Sequence, residues 1–232
     1  MEEIQAINVQ LKAALWECCS PAFAQEISDS LLLKNIAKEV LVDASTFAAK
    51  DPAASNNILR ILHGYTSFKA ILHYRLAHAL ITRASKSLEI ISYADFISSR
   101  GKLLSGAEIH NQSIIGRRFI LDHGVGTVIG ETAIIGDDCY ILGGVTLGAV
   151  GIAGNQNCKR HPTIGNKVQI GAFARIFGCV HVGEGSFIGP HCIITQDIPV
   201  NSIVTVRTTL QVIRSHNSCE ESVACFLGEK LT

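Results

Sequence analysis

The sequence predicts an α+β fold, an N-terminal α-helical domain followed by a parallel β-helix of hexapeptide repeats, and three observations carry that prediction. Glycine is almost absent before residue 101. Apolar residues there keep three- and four-residue spacing. Beyond that point aliphatic residues recur at every sixth position.

The helical part is read over residues 1–103. Ser20-Pro21 is an N-cap followed by proline at the first helical position, opening an apolar-periodic stretch through Leu31, Leu32, Ile36 and Val40. Asp51-Pro52 reads as a second helix start. Ile61, Leu62, Tyr65, Phe68, Leu72, Leu76 and Leu80 make one amphipathic face between Ile58 and Leu80. A last helix covers Leu88 to Ser98, with Gly101 placed to stop it.

The repeat occupies residues 104–205. Ile164, Ile170, Ile176, Val182, Ile188, Ile194 and Val200 fall at intervals of six, and Val168, Ala174, Val180, Ser186 and Cys192 recur four places after the first five. Upstream, Ile109, Ile115 and Leu121 keep the step, and Ile129, Ile135, Ile141 and Leu147 resume it after a two-residue slip. If an aliphatic residue falls at a site with a chance of roughly one in four, seven in strict register arise about once in ten thousand trials. One inward aliphatic per six residues describes a three-sided coil of short parallel strands around a stacked aliphatic interior. Such a coil has no room inside for extra residues, so the insertions at Asp122 to Val128 and over 149–163 must leave it. Loops leaving a rigid scaffold are where function concentrates. Residues 206–232 are read as a tail.

Twenty Lys and Arg balance twenty Asp and Glu, which excludes a basic field drawing the chain to nucleic acid or to an anionic membrane. The start Met1-Glu2-Glu3 lacks the pattern of a signal peptide, and no apolar run approaches a membrane span, so a cytoplasmic protein is expected. Eight cysteines without Cys-x-x-Cys spacing read as reduced thiols, most of them small buried hydrophobes. Cys158, in the protruding loop, is the one whose modification would disturb a site there.

Leu121 holds the inward position of its step, so Asp122 and His123 stand outside the coil. An imidazole with a pKa near 6.5 suits deprotonation of an alcohol near neutral pH. On its own, the pair is equally compatible with a histidine that merely hydrogen-bonds the slipped turn.

The stretch Ile120-Leu121-Asp122-His123-Gly124-Val125-Gly126-Thr127-Val128-Ile129-Gly130-Glu131-Thr132-Ala133 resembles the L-D-H-x-x-G-x-V-[IV]-G-E-T-A of serine O-acetyltransferases. Val145-Thr146-Leu147-Gly148, Arg160-His161-Pro162-Thr163-Ile164 and Asp51-Pro52-Ala53 are similar to that family's V-T-L-G, R-H-P-x-I and D-P-A, in the same order. The resemblance covers roughly residues 50 to 200 and implies a left-handed coil. It also implies acetyl transfer from acetyl-CoA, a co-substrate with no bound cofactor, to the hydroxyl of L-serine. His123 becomes the general base. Asp51, Asp122, Arg160 and His161 become the residues that hold the amino acid. Glu108, where the family has Asp in D-I-H-P, becomes the carboxylate that orients His123, although the side chain is one methylene longer and Asn111 replaces Pro. Gly148, Gly171, Ala172 and Arg175 fall at positions lining the coenzyme groove; the glycines read equally well as tight turns. Ala149-Val150-Gly151-Ile152 departs from the family's G-T-G-K, and Arg175 stands where Lys is common. Glu131 either orders the slipped loop or touches the site.

The resemblance further implies a homotrimer, with a hexamer possible through the helical part, and inhibition by L-cysteine at the serine site. The family's complex with O-acetylserine sulfhydrylase uses a tail ending in Ile, whereas this chain ends Gly228-Glu229-Lys230-Leu231-Thr232, which argues against that complex. Three other readings stand beside it: a hexapeptide acyltransferase acting on a sugar hydroxyl, a zinc carbonic anhydrase of the same fold using His123, His161, His181 or His191, and a non-catalytic scaffold.

Overall fold

A computed structural model describes residues 1–83, 87–151 and 158–207. Its first part holds α1 (Glu2–Cys18), α2 (Pro21–Asp29), α3 (Leu31–Lys50), α4 (Ile58–Gly64), α5 (Thr66–Arg83) and α6 (Leu88–Ser105). Ser20 caps α2 by accepting from Phe23 N, as its position before Pro21 implies. The stretch expected to continue through Val40 is two helices. Ser30 accepts from Leu33 N and opens α3, which leaves Leu31 exposed at the joint. Asp51-Pro52 starts only one 3₁₀ turn, Pro52–Ala54. Asp51 Oδ1 accepts from Ala53 N at 2.9 Å, and the chain then goes left-handed at Ser55 and Asn56.

The face read between Ile58 and Leu80 is interrupted at Tyr65, which is extended, yet Ile61, Leu62, Phe68, Leu72, Leu76 and Leu80 are all buried. Gly101 stops nothing. It lies inside α6, where a Cβ would come 2.7 Å from the Cβ of His73, so its missing side chain lets α5 and α6 pack closely. The left-handed C-cap is Gly106, φ 72°, and the boundary expected at 103 falls inside α6.

Among the described residues fourteen short strands, numbered in chain order, form three parallel faces. Face A stacks β1 (Glu108–Ile109), β4 (Val128–Ile129), β7 (Thr146–Gly148), β10 (Arg175–Phe177) and β13 (Ile193–Ile194). Face B stacks β2 (Ile114–Ile115), β5 (Ile134–Ile135), β8 (Thr163–Ile164) and β11 (His181–Val182). Face C stacks β3 (Ile120–Leu121), β6 (Tyr140–Ile141), β9 (Gln169–Ile170), β12 (Phe187–Ile188) and β14 (Ile203–Val204). The predicted inward aliphatics from Ile109 to Ile194 are buried, with Val168, Ala174, Ser186 and Cys192 beside them.

The register measures the insertions. Ile129 pairs with Leu147, and Ile176 with Ile194, one coil of eighteen residues on. Glu108 pairs with Val128, two residues more, and Thr146 with Arg175, eleven more. The last coil corrects the sequence reading, because Val200 is 63% exposed while Ile198 bridges Val182 and is buried. Asp197 Oδ1 accepts from His181 N at 2.8 Å, so a side chain takes up a ladder donor and the corner is shorter than a full step.

The open end of the first coil would expose unpaired strand edges. The helical part closes it. Tyr74 donates to Ser113 O and accepts from Ile115 N; Arg75 donates to Ile115 O and Gly116 O; Asp43 accepts from Phe119 N. Arg75 Nε also meets Asp43 Oδ2 at 2.8 Å in a buried ion pair. Removing one member of such a pair strands the other, so Asp43→Ala is expected to destabilise the protein by about 3–5 kcal/mol in a denaturant melt. A loss under about 1 kcal/mol would show that the pair does not hold the two parts together.

Candidate active site

The two-residue insertion leaves the coil at the edge between faces C and A, immediately after inward-facing Leu121. Gly124 and Gly126 supply φ values of 72° and 78°, and His123 itself sits at φ 61°, a region few non-glycine residues occupy. Its side chain is 83% exposed. A Cβ on Gly124 would come 2.9 Å from Ser67 Cβ, so glycine there lets the start of α5 approach the turn. Between them lies a cleft of about 420 Å³, lined by Asp51, Tyr65, Thr66, Ser67, Asp122 and His123.

Two carboxylates in this cleft are held by phenols, one from Tyr140, which the sequence did not single out, and one from Tyr65, which it read only as part of an amphipathic helix face. Tyr140 donates to Asp122 Oδ2 at 2.8 Å, and Tyr65 donates to Asp51 Oδ2 at 2.5 Å. Burial, with the bond to Asp122 second, raises the Tyr140 phenol above its usual range; the bond to Asp51 raises Tyr65. Both therefore stay protonated donors: Asp51 is held at both oxygens, by Tyr65 and by Ala53 N, while Tyr140 fixes Oδ2 of Asp122 and leaves Oδ1 facing the cleft. Asp122 Oδ1 lies 3.9 Å from His123 Nε2. Glu108 is not paired with His123 here: its carboxylate lies 2.5 Å from Lys102 Nζ.

A second group forms on the opposite edge of face A, where the eleven-residue insertion returns before β8. Thr132 Oγ1 accepts from Arg160 N and His161 N, so its own proton goes to His161 Nδ1 at 2.9 Å, and Thr132 N donates to the same nitrogen at 3.2 Å. With Nδ1 accepting, the ring proton sits on Nε2, a donor with no acceptor among the described residues, and the ring lies over Gly130, where a Cβ would overlap it. Burial, then the charges of Arg160 and Lys159, push His161 below its ordinary pKa. Glu131 takes part in this group by pairing with Arg160. Lys159, also missed in the sequence, donates to the carbonyls of Thr132 and Pro162 and so fastens the loop's return.

His123 and the Arg160-His161 pair thus stand on different edges, one face apart. A six-residue step at about 3.3 Å per residue puts at most about 20 Å between them. Of the residues assigned to the coenzyme, Ala172 is half-buried on the C–A edge and Arg175 is exposed on face A. Gly171 is a packing glycine, since a Cβ there would meet Pro190 N at 2.5 Å, and a Cβ on Gly148 would lie 3.0 Å from the Phe177 ring. The departure at Ile152 and the chain beyond residue 207 lie outside the described residues. Among the described residues His123, His161, His181 and His191 do not converge, and no helix is long and apolar enough to cross a membrane.

A three-sided coil of six-residue steps with a histidine cleft at one edge defines a hexapeptide-repeat transferase, and a family profile described as bacterial transferase hexapeptide (six repeats) matches residues 161–196. The chain is 42% identical over 153 residues to a serine acetyltransferase of Helicobacter pylori, covering 66% of this chain and 84% of that one. It is 40% identical over 167 residues to that of Synechococcus elongatus, covering 72% of this chain and 65% of the relative, so the match spans about two thirds of that longer protein. Among solved structures it is similar to serine acetyltransferase isoform 3 of Entamoeba histolytica in complex with cysteine, with TM-score 0.73, 28% identity, and coverage of 99% of this chain and 88% of that one. It is also similar to the Neisseria gonorrhoeae enzyme in complex with serine, with TM-score 0.71, 29% identity, and coverage of 87% and 82%. The chain belongs to the serine acetyltransferase family.

The tautomer lock is open to measurement. Because the fold depresses the His161 pKa, the unfolded chain binds that proton first. The stability His161 contributes is therefore present above its unfolded value of about 6.5 and is lost as the pH falls from there through the lower folded value. Nitrogen NMR of His161 should show the Nε2–H form at pH 7 and a midpoint below that of a free histidine. Thr132→Val should raise the midpoint; an unmoved one would mean Thr132 does not set the tautomer.

Proposed function

We propose that this protein is a serine O-acetyltransferase, acetylating L-serine from acetyl-CoA to give O-acetylserine for cysteine biosynthesis. The observation that carries the reading is the cleft at the C–A edge, where the exposed imidazole of His123 faces the two phenol-fixed carboxylates of Asp51 and Asp122. His123 takes the proton of the serine hydroxyl as the oxygen attacks the thioester carbonyl. The tetrahedral intermediate collapses, expels the CoA thiolate, and the imidazolium returns the proton to sulfur. Asp51 and Asp122 face the ammonium of the amino acid. Arg160, shared with Glu131, clamps its carboxylate, and His161 Nε2–H donates to that carboxylate or to the developing oxyanion.

Those last two residues lie across face A from His123, and this supports a homotrimer of left-handed coils in which the A–B edge of one chain meets the C–A edge of the next. A hexamer through the helical part is compatible with it. Glu108 orients His123 in this reading once Lys102 releases it. Gly148, Gly171, Ala172 and Arg175 flank the coenzyme, and the basic Arg175 meets its phosphates. L-Cysteine, an isostere of serine, competes for the same cleft. The setting is cytoplasmic.

With acetyl-CoA offered to L-serine, L-homoserine and simple sugars, thiol release is expected with L-serine. His123→Ala should lower kcat by about 10² to 10⁴ with an unchanged fold. Release with a sugar but not with serine would replace the acceptor. Full activity in the variant would remove His123 from the chemistry.

A further inference from the structure

The C–A edge carries a ring pair that the transfer chemistry does not use. Above the His123 turn the corners stack as Gly143-Gly144, Ala172-Phe173 and Pro190-His191. A Cβ on Gly143 would touch that of His123 at 3.4 Å, Phe173 N donates to Gly143 O, and His191 N donates to Ala172 O. The rings of Phe173 and His191 stack at 5.3 Å with 11° between planes. Phe173 is 55% exposed, and its ring lies over Gly144, where a Cβ would overlap it. Both residues are left-handed, φ 60° each, at corners where glycine or asparagine is the unstrained choice. The same backbone recurs at the corners of Arg118, Asp138 and Lys167, so it belongs to the coil; what sets Phe173 apart is a large apolar ring held outside the core, which points to a use for that ring.

The helical part closes the coil below His123, so a thioester placed at His123 can extend only up this edge or across face A. Coils rise about 4.8 Å each, which puts the Phe173 and His191 levels about 10 and 14 Å above the His123 turn, within reach of a pantetheine arm. Gly143 adds no side chain between the two levels, and at Gly144 the surface is the Phe173 ring itself. Exposed Arg175, two residues past Phe173, supplies a cation beside it. We infer that the Phe173–His191 pair is a stacking platform for the adenine of the acyl donor, with Arg175 beside its phosphates. The inference rests on the acetyl-CoA reading of the site. A base stacks on an aromatic face through its own π surface, and such a contact discriminates donors that carry the base from donors that lack it.

The test compares acetyl-CoA with acetyl-pantetheine, which carries the same thioester without the nucleotide, in the wild type and in Phe173→Gly and Phe173→Trp. Glycine suits φ 60° and preserves the turn. The preference for acetyl-CoA, as a ratio of kcat/KM values, should fall about tenfold in Phe173→Gly, through KM for acetyl-CoA, and be restored in Phe173→Trp. An equal loss with both donors, or a variant that changes oligomeric state in light scattering, would overturn the platform and make Phe173 a packing or interface residue. A wild type that acetylates serine from neither donor would instead remove the activity on which the inference rests.

Discussion

Everything at the site depends on one constraint, that a coil stacked on a six-residue step admits nothing extra between its levels. Inward aliphatics fill the interior completely, and each backbone ladder fixes the height of the next turn. Surplus residues can leave only at corners, and corners stack into edges. The two-residue surplus after Leu121 and the eleven-residue surplus before Thr163 therefore project functional side chains at fixed heights from two edges of one face. A side chain on an edge is placed by the whole stack, and this is how His123 is held outward on a left-handed backbone.

The helical part has two consequences that share one origin. Its polar side chains satisfy the strand edges at the open end of the coil through Tyr74, Arg75 and Asp43. The same packing brings Asp51, Tyr65 and Ser67 against the His123 turn and converts an exposed corner into a cleft. Without that cap the imidazole would face solvent with only Asp122, from its own corner, beside it. Stability and the shape of the cleft thus come from one interface.

The period of six was legible because buried positions repeat strictly, and the corner residues were legible because the insertions break that period. What escaped the sequence reading depends on levels meeting across the stack or on single caps. Tyr140 supports Asp122 from the next coil, and Thr132 locks His161 across 29 residues, pairings that no local pattern announces. Gly101 reads as a stop by composition but serves close packing against His73. Ser30 and Tyr65 each break a helix whose apolar period runs on without pause. Val200 kept the period in sequence while Asp197 shortened the corner before it. Glu108 is expected from the resemblance to orient His123, whereas its carboxylate pairs with Lys102.

The placement of His123 and Arg160 on opposite edges of one face has a direct experimental consequence in the proposed trimer, where each site draws one edge from either neighbour. His123→Ala and Arg160→Ala chains, each inactive alone, would be unfolded together, refolded as mixed oligomers and assayed for serine acetylation. Random mixing should regenerate roughly a quarter of the sites, those pairing an intact His123 edge with an intact Arg160 edge. Mixed oligomers that form but stay as inactive as the parents would contradict a site shared between chains.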